Sequence, residues 1–406
     1  MPQTSGAGVI ALATSTPTQH ILTMAPMMGY QGSTCCTLAQ ASPYVSWLFN
    51  LPGTEISTAH ANGMHVTEYY NAEVARPCCT PWWSLLQANP QYIARDCSGH
   101  IISPDSNPSI SEMPDITRAG WRSLWVGIIR NNGLDAVYAD GAGDPGSGML
   151  PCGATDSSYV SDLAAMFSSV VVPVIANNVF ESGTTGTNWH TVDASANVMG
   201  ALADSDCYVD GPGSHGRSTD YAIVQSMHSY GYSTDDWGQR ENDELYLAAQ
   251  GKQFWCLVGA TGTASSETAL RIYAYASLML TYSLTSTGYW TYWKTATPGQ
   301  VEVYPETGLV PTNPVAGTPS SIISLRAGNV YAREYKDCFY RGKDKGPCTF
   351  VVNPTTSTQN WPALSRAYAH TMTLSGGGVL EGGIASFTGP APPATLASGS
   401  AVIALR

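Results

Sequence analysis

Charge is what this chain has least of. Lys, Arg, Asp and Glu make up 12% of its 406 residues, about half the ~25% usual for globular domains. The little charge present leans one way, with 30 acidic against 18 basic side chains and a formal net of −12. That balance excludes nucleic acid and anionic membrane surfaces as partners, since both are held by Lys and Arg. No run of ~18 apolar residues occurs, so no transmembrane segment is predicted. The opening stretch MPQTSGAGVIALATSTPTQH also lacks a basic region followed by a long apolar one, so no secretory signal is read there. Gly, Ser, Thr and Tyr take the place of charge, a composition that suits an extracellular, cell-surface or virion-surface protein.

Several chemistries are missing as motifs. The eight histidines form neither H-x-H nor H-E-x-x-H, and His60 and His65, five apart, do not make a metal pair. No metal or other cofactor is expected. No G-x-S-x-G elbow follows a strand in the required place, which leaves serine-hydrolase chemistry unsupported. No G-x-G-x-x-G turn follows the early strands, which disfavours a dinucleotide-binding sheet. The ten cysteines show no zinc-ribbon spacing, because positions 35–36 and 78–79 are adjacent pairs rather than C-x₂-C. Disulfides are the better reading of so many cysteines. Cys338 and Cys348 flank the polar loop FYRGKDKGP between two strand-like runs, where a bridge is easily made. Pairing among the other eight stays open.

What the sequence does contain is an alternation. HILTMAP (20–26) reads as a strand, TLAQASPYVSWLFNL as a helix interrupted at Pro43, and MHVTEYYNA (64–72) as a strand. Trp121, Leu124, Trp125, Ile128 and Ile129 fall at helical spacing, closed by Asn131-Asn132-Gly133. LDAVYAD, VPVIANN, CYVDGPG, QFWCLVGA and GYWTYWKT read as further strands. SYVSDLAAMFSSV, TVDASANVMGALADS, DELYLAAQG and SETALRIYAYASLMLTYS read as helices between them. Beyond residue 300 short β runs take over: NVYAREY, CTFVVNP, TMTLSG, GVLEGG and SAVIAL. Strand and helix in turn predict a (β/α)₈ TIM barrel over residues 1–300. The all-β remainder, 301–406, predicts a small antiparallel β-sandwich domain.

Two of these strands end on an acid followed by glycine: AVYADGAGDPGSG stops at Asp140, and CYVDGPGSHG at Asp210. In such a barrel functional groups stand at the C-terminal strand ends. Counted as the fourth and sixth strands, these two place carboxyls on opposite walls of one pocket. Two carboxyls across a sugar-sized gap are what glycosidic cleavage requires, one attacking and one protonating the leaving oxygen. The competing reading, an Asp that caps a helix or closes a turn, is the commoner one for any single acid, and two acids in matched contexts bring the catalytic reading level with it. It is the preferred one for Asp135 and Asp144, although Asp144 lies near enough to Asp140 to serve as a second acid. Glu68, Tyr69 and Tyr70 at the end of HVTEYYNA, Asn177 and Asn178 at the end of VPVIANN, and His215 and Arg217 after Asp210 are candidate glycan contacts. Trp290 and Trp293 on the last strand could stack on a sugar face or pack in the core.

Certain stretches carry a family resemblance. ANPQYIARDCSGHII resembles the Asn/His-Pro, aromatic-aliphatic, Arg/Lys-Asp, Gly stretch of several glycoside hydrolase families. DITRAGWRSLWVGIIRNNGLDAVYADG looks like their tryptophan-bearing helix running into a strand that ends on Asp, and VPVIANN like the strand after it. GNVYAREYKDC and CTFVVNPT are similar to their C-terminal β domain. The likeness spans residues 60–360 and is most specific over 117–141. It implies a barrel hydrolase acting on glycans, with Asp140 as nucleophile and Asp210 as acid/base in the manner of α-glycosidases. YADGAG departs from relatives that carry two successive acids, or an acid and an Asn, there.

The expectation is therefore a retaining glycoside hydrolase acting on an extracellular glycan. The alternative is a non-catalytic glycan-binding or structural protein on the same barrel, assembled into a surface or virion.

Overall fold

Eight short parallel strands close on themselves. They are β1 (Leu22–Pro26), β2 (Trp47–Phe49), β3 (His65–Asn71), β4 (Ala136–Asp140), β5 (Val174–Asn177), β6 (Val198–Ala203), β7 (Gln253–Ala260) and β8 (Thr287–Trp293). They pair in sequence order, and β8 returns to β1 with Met24 opposite Trp290. This computed structural model describes residues 19–26, 37–51, 53–77, 81–104, 106–129, 132–143, 149–177, 189–203, 236–260, 264–293, 303–355 and 357–406.

The helices that follow the strands are α1 (Leu38–Ala41), α2 (Ile56–Ala61), α3 (Pro81–Ala88), α4 (Ala119–Ile128), α5 (Asp156–Ser168), α6 (Trp189–Asp193), α7 (Asp236–Ala249) and α8 (Ala264–Thr281). The helical spacing in the sequence reappears in α4, whose Trp121 and Trp125 are fully buried. α5 starts on a capping box in which Thr155 accepts from the backbone of Ser158. Among the described residues no helix is long and apolar enough to cross a membrane.

Strand alternation divides side chains between the barrel interior and the helix layer. Met24, Trp47, Phe49, Tyr138, Ile175, Leu202, Trp255, Leu257 and Trp290 fill the interior. Tyr70, Val137, Ala139, Val174, Cys256 and Tyr289 face the helices. Trp255 fits because β8 presents Gly288 to it: a Cβ there would stand 2.3 Å from the indole.

Two sequence expectations fail in the barrel. TVDASANVMGALADS, read as one helix, is a short helix (α6) followed by β6, and SWLFNL supplies β2 where a helix was expected. Both strands are buried on both faces, so they show no alternation, and a short apolar run of this kind does not separate strand from helix. The correction moves the end of the sixth strand to Ala203. CYVDGPG, expected to be that strand, lies outside the described residues.

The C-terminal part is antiparallel. β9 (Leu309–Pro314), β10 (Arg326–Ala327), β11 (Val330–Tyr340) and β12 (Lys343–Asn353) form one six-stranded sheet with Ser400–Leu405 and His370–Thr371. Two two-stranded ribbons accompany it. GVLEGG, expected as a β run, contains a single 3₁₀ turn at Val379–Glu381. Cys338 and Cys348 are bridged across the β11–β12 pair, as expected from their loop. A second disulfide, Cys97–Cys152, was not readable from spacing.

Helix α8 joins barrel and sheet. Its Arg271 forms a two-pronged ion pair with Glu306 (2.9 and 2.6 Å), both side chains fully buried, and Tyr275 donates to the Leu309 carbonyl. From the sheet, Tyr335 donates to Met279 O and Arg333 to Leu280 O near the C-terminus of α8. These contacts give the last carbonyls of the helix the donors they lack within it.

Candidate functional site at the rim of the barrel

Asp140 is the last residue of β4, so its side chain stands at the C-terminal rim of the barrel, one step above Tyr138. The neighbouring strands bring their own final residues to the same level. Asn71 of β3 is directly opposite Asp140, and Asn177 ends β5 on the other side. From described residues the Asp140 carboxylate accepts four hydrogen bonds. Its Oδ2 accepts from Tyr69 Oη (2.6 Å) and Asn71 Nδ2 (2.9 Å); its Oδ1 accepts from Asn177 Nδ2 (2.8 Å) and Gly141 N (3.0 Å). Those donors are neutral amide, phenol and backbone groups that fix the direction of the carboxylate.

Each donor is itself held. Asn71 is 7% exposed and Asn177 1%. Asn71 Nδ2 also touches Tyr69 Oη (3.1 Å), and Trp125 of α4 donates its indole N–H to the Asn71 carbonyl (3.0 Å). The long excursion between β3 and α4 is fastened above this point. Ala75 bridges to Glu112, Trp82 donates to Val74 O, and Cys97–Cys152 ties the excursion to the segment after β4.

The structure sorts the sequence candidates. Asp140 and Asn177 meet at the rim, with Asn177 bonded to Asp140. Glu68 and Tyr70 do not reach it. Tyr70 lies on the helix side of β3, stacked on Trp82 and edge-on to Trp125, and donates to Glu68 two residues earlier on the same face. The residues of β3 with the opposite parity, Tyr69 and Asn71, are the ones that face inward. Trp290 is 6% exposed and packs in the barrel core, its ring 4.8 Å from Phe49 and 6.0 Å from Tyr138, so core packing replaces sugar stacking. Trp293 ends β8, and its side chain lies outside the described set. Asp144, Asn178, Asp210, His215 and Arg217 also lie outside the described residues.

Asp135 takes the structural role expected of it at the opposite, N-terminal end of β4. It accepts from Val66 N (2.8 Å) and His60 Nε2 (2.8 Å) and pairs with His65 Nδ1 (3.2 Å). Burial alone would raise its pKa; those hydrogen bonds outweigh burial and leave the carboxyl below its ordinary range. Among the described residues no group of three His, Cys, Asp or Glu side chains is placed to hold a metal ion.

Asn71 and Glu73 are the rim residues that sequence reasoning missed. One signal was present: Thr67, Tyr69 and Asn71 are all polar at alternate positions, which for a barrel strand ending at the rim marks the inward set.

No family model matches the sequence, and no curated protein matches it. Among solved structures the chain is similar to the glycoside hydrolase domain of PelA from Pseudomonas aeruginosa. The two are 12% identical over 66% of this chain and 94% of that one, with a TM-score of 0.44. It is similar to Aspergillus fumigatus Ega3 in complex with galactosamine at 12% identity, over 73% of this chain and 100% of that one (TM-score 0.40). It is also similar to the α-amylase of Geobacillus thermoleovorans complexed with acarbose, at 9% identity over 97% and 99% of the two chains (TM-score 0.46). The barrel rests on its own strand pairing, independent of these likenesses.

Proposed function

We propose that the chain is a glycoside hydrolase that cleaves an extracellular glycan, with Asp140 as the nucleophile of a retaining mechanism. The observation that carries this reading is the Asp140 carboxylate, held at the barrel rim by neutral donors from β3 and β5. Directional amide and phenol hydrogen bonds aim a carboxylate at a substrate. In glycoside hydrolysis such a group attacks the anomeric carbon while a second carboxyl protonates the leaving oxygen.

Asp210, past the sixth strand in sequence, is the proposed second acid. With β6 ending at Ala203, Asp204 is the next residue in the chain, and it competes with Asp210 for that role. A panel of aryl glycosides and polysaccharides tests the proposal. Asp140→Asn is expected to lower kcat by about 10³-fold or more, the size of effect expected for a group acting in the transition state, with the unfolding midpoint unchanged. Asp204→Asn and Asp210→Asn, assayed alongside, identify the partner: one of them falls as far as Asp140→Asn. Wild-type turnover by Asp140→Asn sinks the reading. Binding without turnover by the wild-type protein points instead to a glycan-binding scaffold.

A further inference from the structure

The side chain that orients Asp140 also shapes the turn after β3. Asn71 Nδ2 donates to Asp140 Oδ2 at 2.9 Å, while its Oδ1 accepts the backbone N–H groups of Glu73 (2.9 Å) and Val74 (2.6 Å). One amide therefore fixes both the carboxylate and the turn that carries Glu73.

That turn lays Glu73 over the end of β4. Gly141, the residue after Asp140, has φ +64°, and a Cβ added to it would stand 2.6 Å from Glu73 Cβ and 3.0 Å from Glu73 Oε2. Glycine is needed there for its left-handed backbone and for the space that Glu73 occupies. The N–H of Gly141 donates to Asp140 Oδ1 at 3.0 Å. Linking these contacts through the covalent geometry of one residue puts Glu73 Oε2 within about 9 Å of Asp140 Oδ1.

We propose that Glu73 is a substrate-binding residue that accepts a hydrogen bond from a hydroxyl of the sugar ring attacked by Asp140; this rests on the glycosidase reading above. β3 and β4 are neighbours about 4.8 Å apart, so both carboxyls rise from one wall of the rim. A group on the nucleophile's wall meets hydroxyls of the ring held there, while the general acid must reach the leaving oxygen from elsewhere. The N–H groups of Asn71 and Asn177 are turned to Asp140, which makes these amides orienting groups. Glu73 is a pure acceptor when ionised, and a charge-assisted O–H···O⁻ bond is strong enough to select one hydroxyl configuration over its epimer.

The test is Michaelis kinetics of the full chain on 4-nitrophenyl glycosides, comparing wild type, Glu73→Gln and Asp140→Asn. Glu73→Gln is expected to raise KM about tenfold or more with kcat changed by less than about threefold, the loss of one charge-assisted bond made in ground and transition states alike. The melting transition stays in place, and the deficit vanishes on a deoxy glycoside lacking the paired hydroxyl. A KM within about twofold of wild type on every substrate overturns the role. A loss of kcat as complete as that of Asp140→Asn also overturns it, by moving Glu73 into the chemistry. A wild-type protein that cleaves no glycoside removes the glycosidase reading and this role with it. An active wild type with an unaffected Glu73→Gln removes this role alone.

Discussion

At the scale of single residues, the barrel is decided by what is small as much as by what is large. Trp255 is fully buried in the interior, edge-on to Trp47 at 6.1 Å, with its indole N–H donating to Gln253 Oε1. It occupies the volume that a side chain at residue 288 would need, and a Cβ there would come within 2.3 Å of the ring. A rigid indole walled in by other aromatics cannot move aside cheaply. Gly288→Ala is therefore expected to destabilise the fold by about 2–3 kcal/mol, the upper part of the range for overpacked cores. Denaturant unfolding measures this, and a midpoint equal to wild type shows that the ring relocates. Gly141 answers to a different demand, since Glu73 and a left-handed backbone both exclude a side chain there.

At the scale of elements, helix α7 places two carboxyls where no water reaches. Glu241 and Glu244 are both fully buried, and each contacts the same hydroxyl, Thr281 Oγ1 of α8, at 2.7 and 2.5 Å. Thr287 of β8 also donates to Glu244. One threonine has one proton to give, so one of these two contacts needs a proton on a carboxyl. Burial, then the neighbouring Glu244 charge, push the Glu241 pKa well above its ordinary value, against the opposing pull of Thr281 and of Arg333 from β11. Among the described residues Tyr273 of α8, Tyr282 just after it and Tyr335 of β11 also face the pair, all buried and shifted upward by burial first. The sign comes from linkage. A folded state that keeps a proton the unfolded chain releases near pH 4.5 has the full benefit below that pH and loses it as pH rises, by up to ~1.4 kcal/mol per unit. Stability of the wild type relative to Glu241→Gln is expected to fall steadily from pH 5 to pH 8 in denaturant titrations; two parallel profiles contradict it. The same scale shows what was legible beforehand. Long periodic helices such as α4 and α8, and β3 and β4 with their polar ends, could be read because a half-buried surface prints its period on the sequence. β2 and β6 could not, because a three-residue WLF and the small apolar VMGALA carry no period. Misplacing β6 carried the strand end past Ala203 and so fixed attention on Asp210. At the rim, Asp140, Asn177 and Tyr69 were readable as polar residues near strand ends, whereas Glu68 and Tyr70 were included from the opposite face of the same strand.

At the scale of the whole molecule, barrel and C-terminal sheet are joined by a charge pair as well as by apolar packing. Arg271 and Glu306 have no exposure to solvent, Arg271 also donates to Gly376 O, and its guanidinium lies over the Tyr304 ring at 4.6 Å. Removing one member strands the other in a medium that cannot solvate it. Arg271→Ala is expected to cost about 3–5 kcal/mol, and a paired Arg271→Met, Glu306→Leu variant to regain most of it. Denaturant unfolding of the three proteins is the check, and a loss below about 1 kcal/mol for Arg271→Ala removes the pair from the joint. The Cys97–Cys152 bridge works at the same scale on the other end of the barrel, for it closes a loop of sequence separation 55 that encloses β4 and Asp140. Reduction leaves each barrel strand its ladder partners but frees the covering excursion from the segment beyond Asp140. A preparation judged native by its content of strand and helix thus says nothing of whether the mouth is assembled. The thiol titre of each batch is the quantity that carries that information.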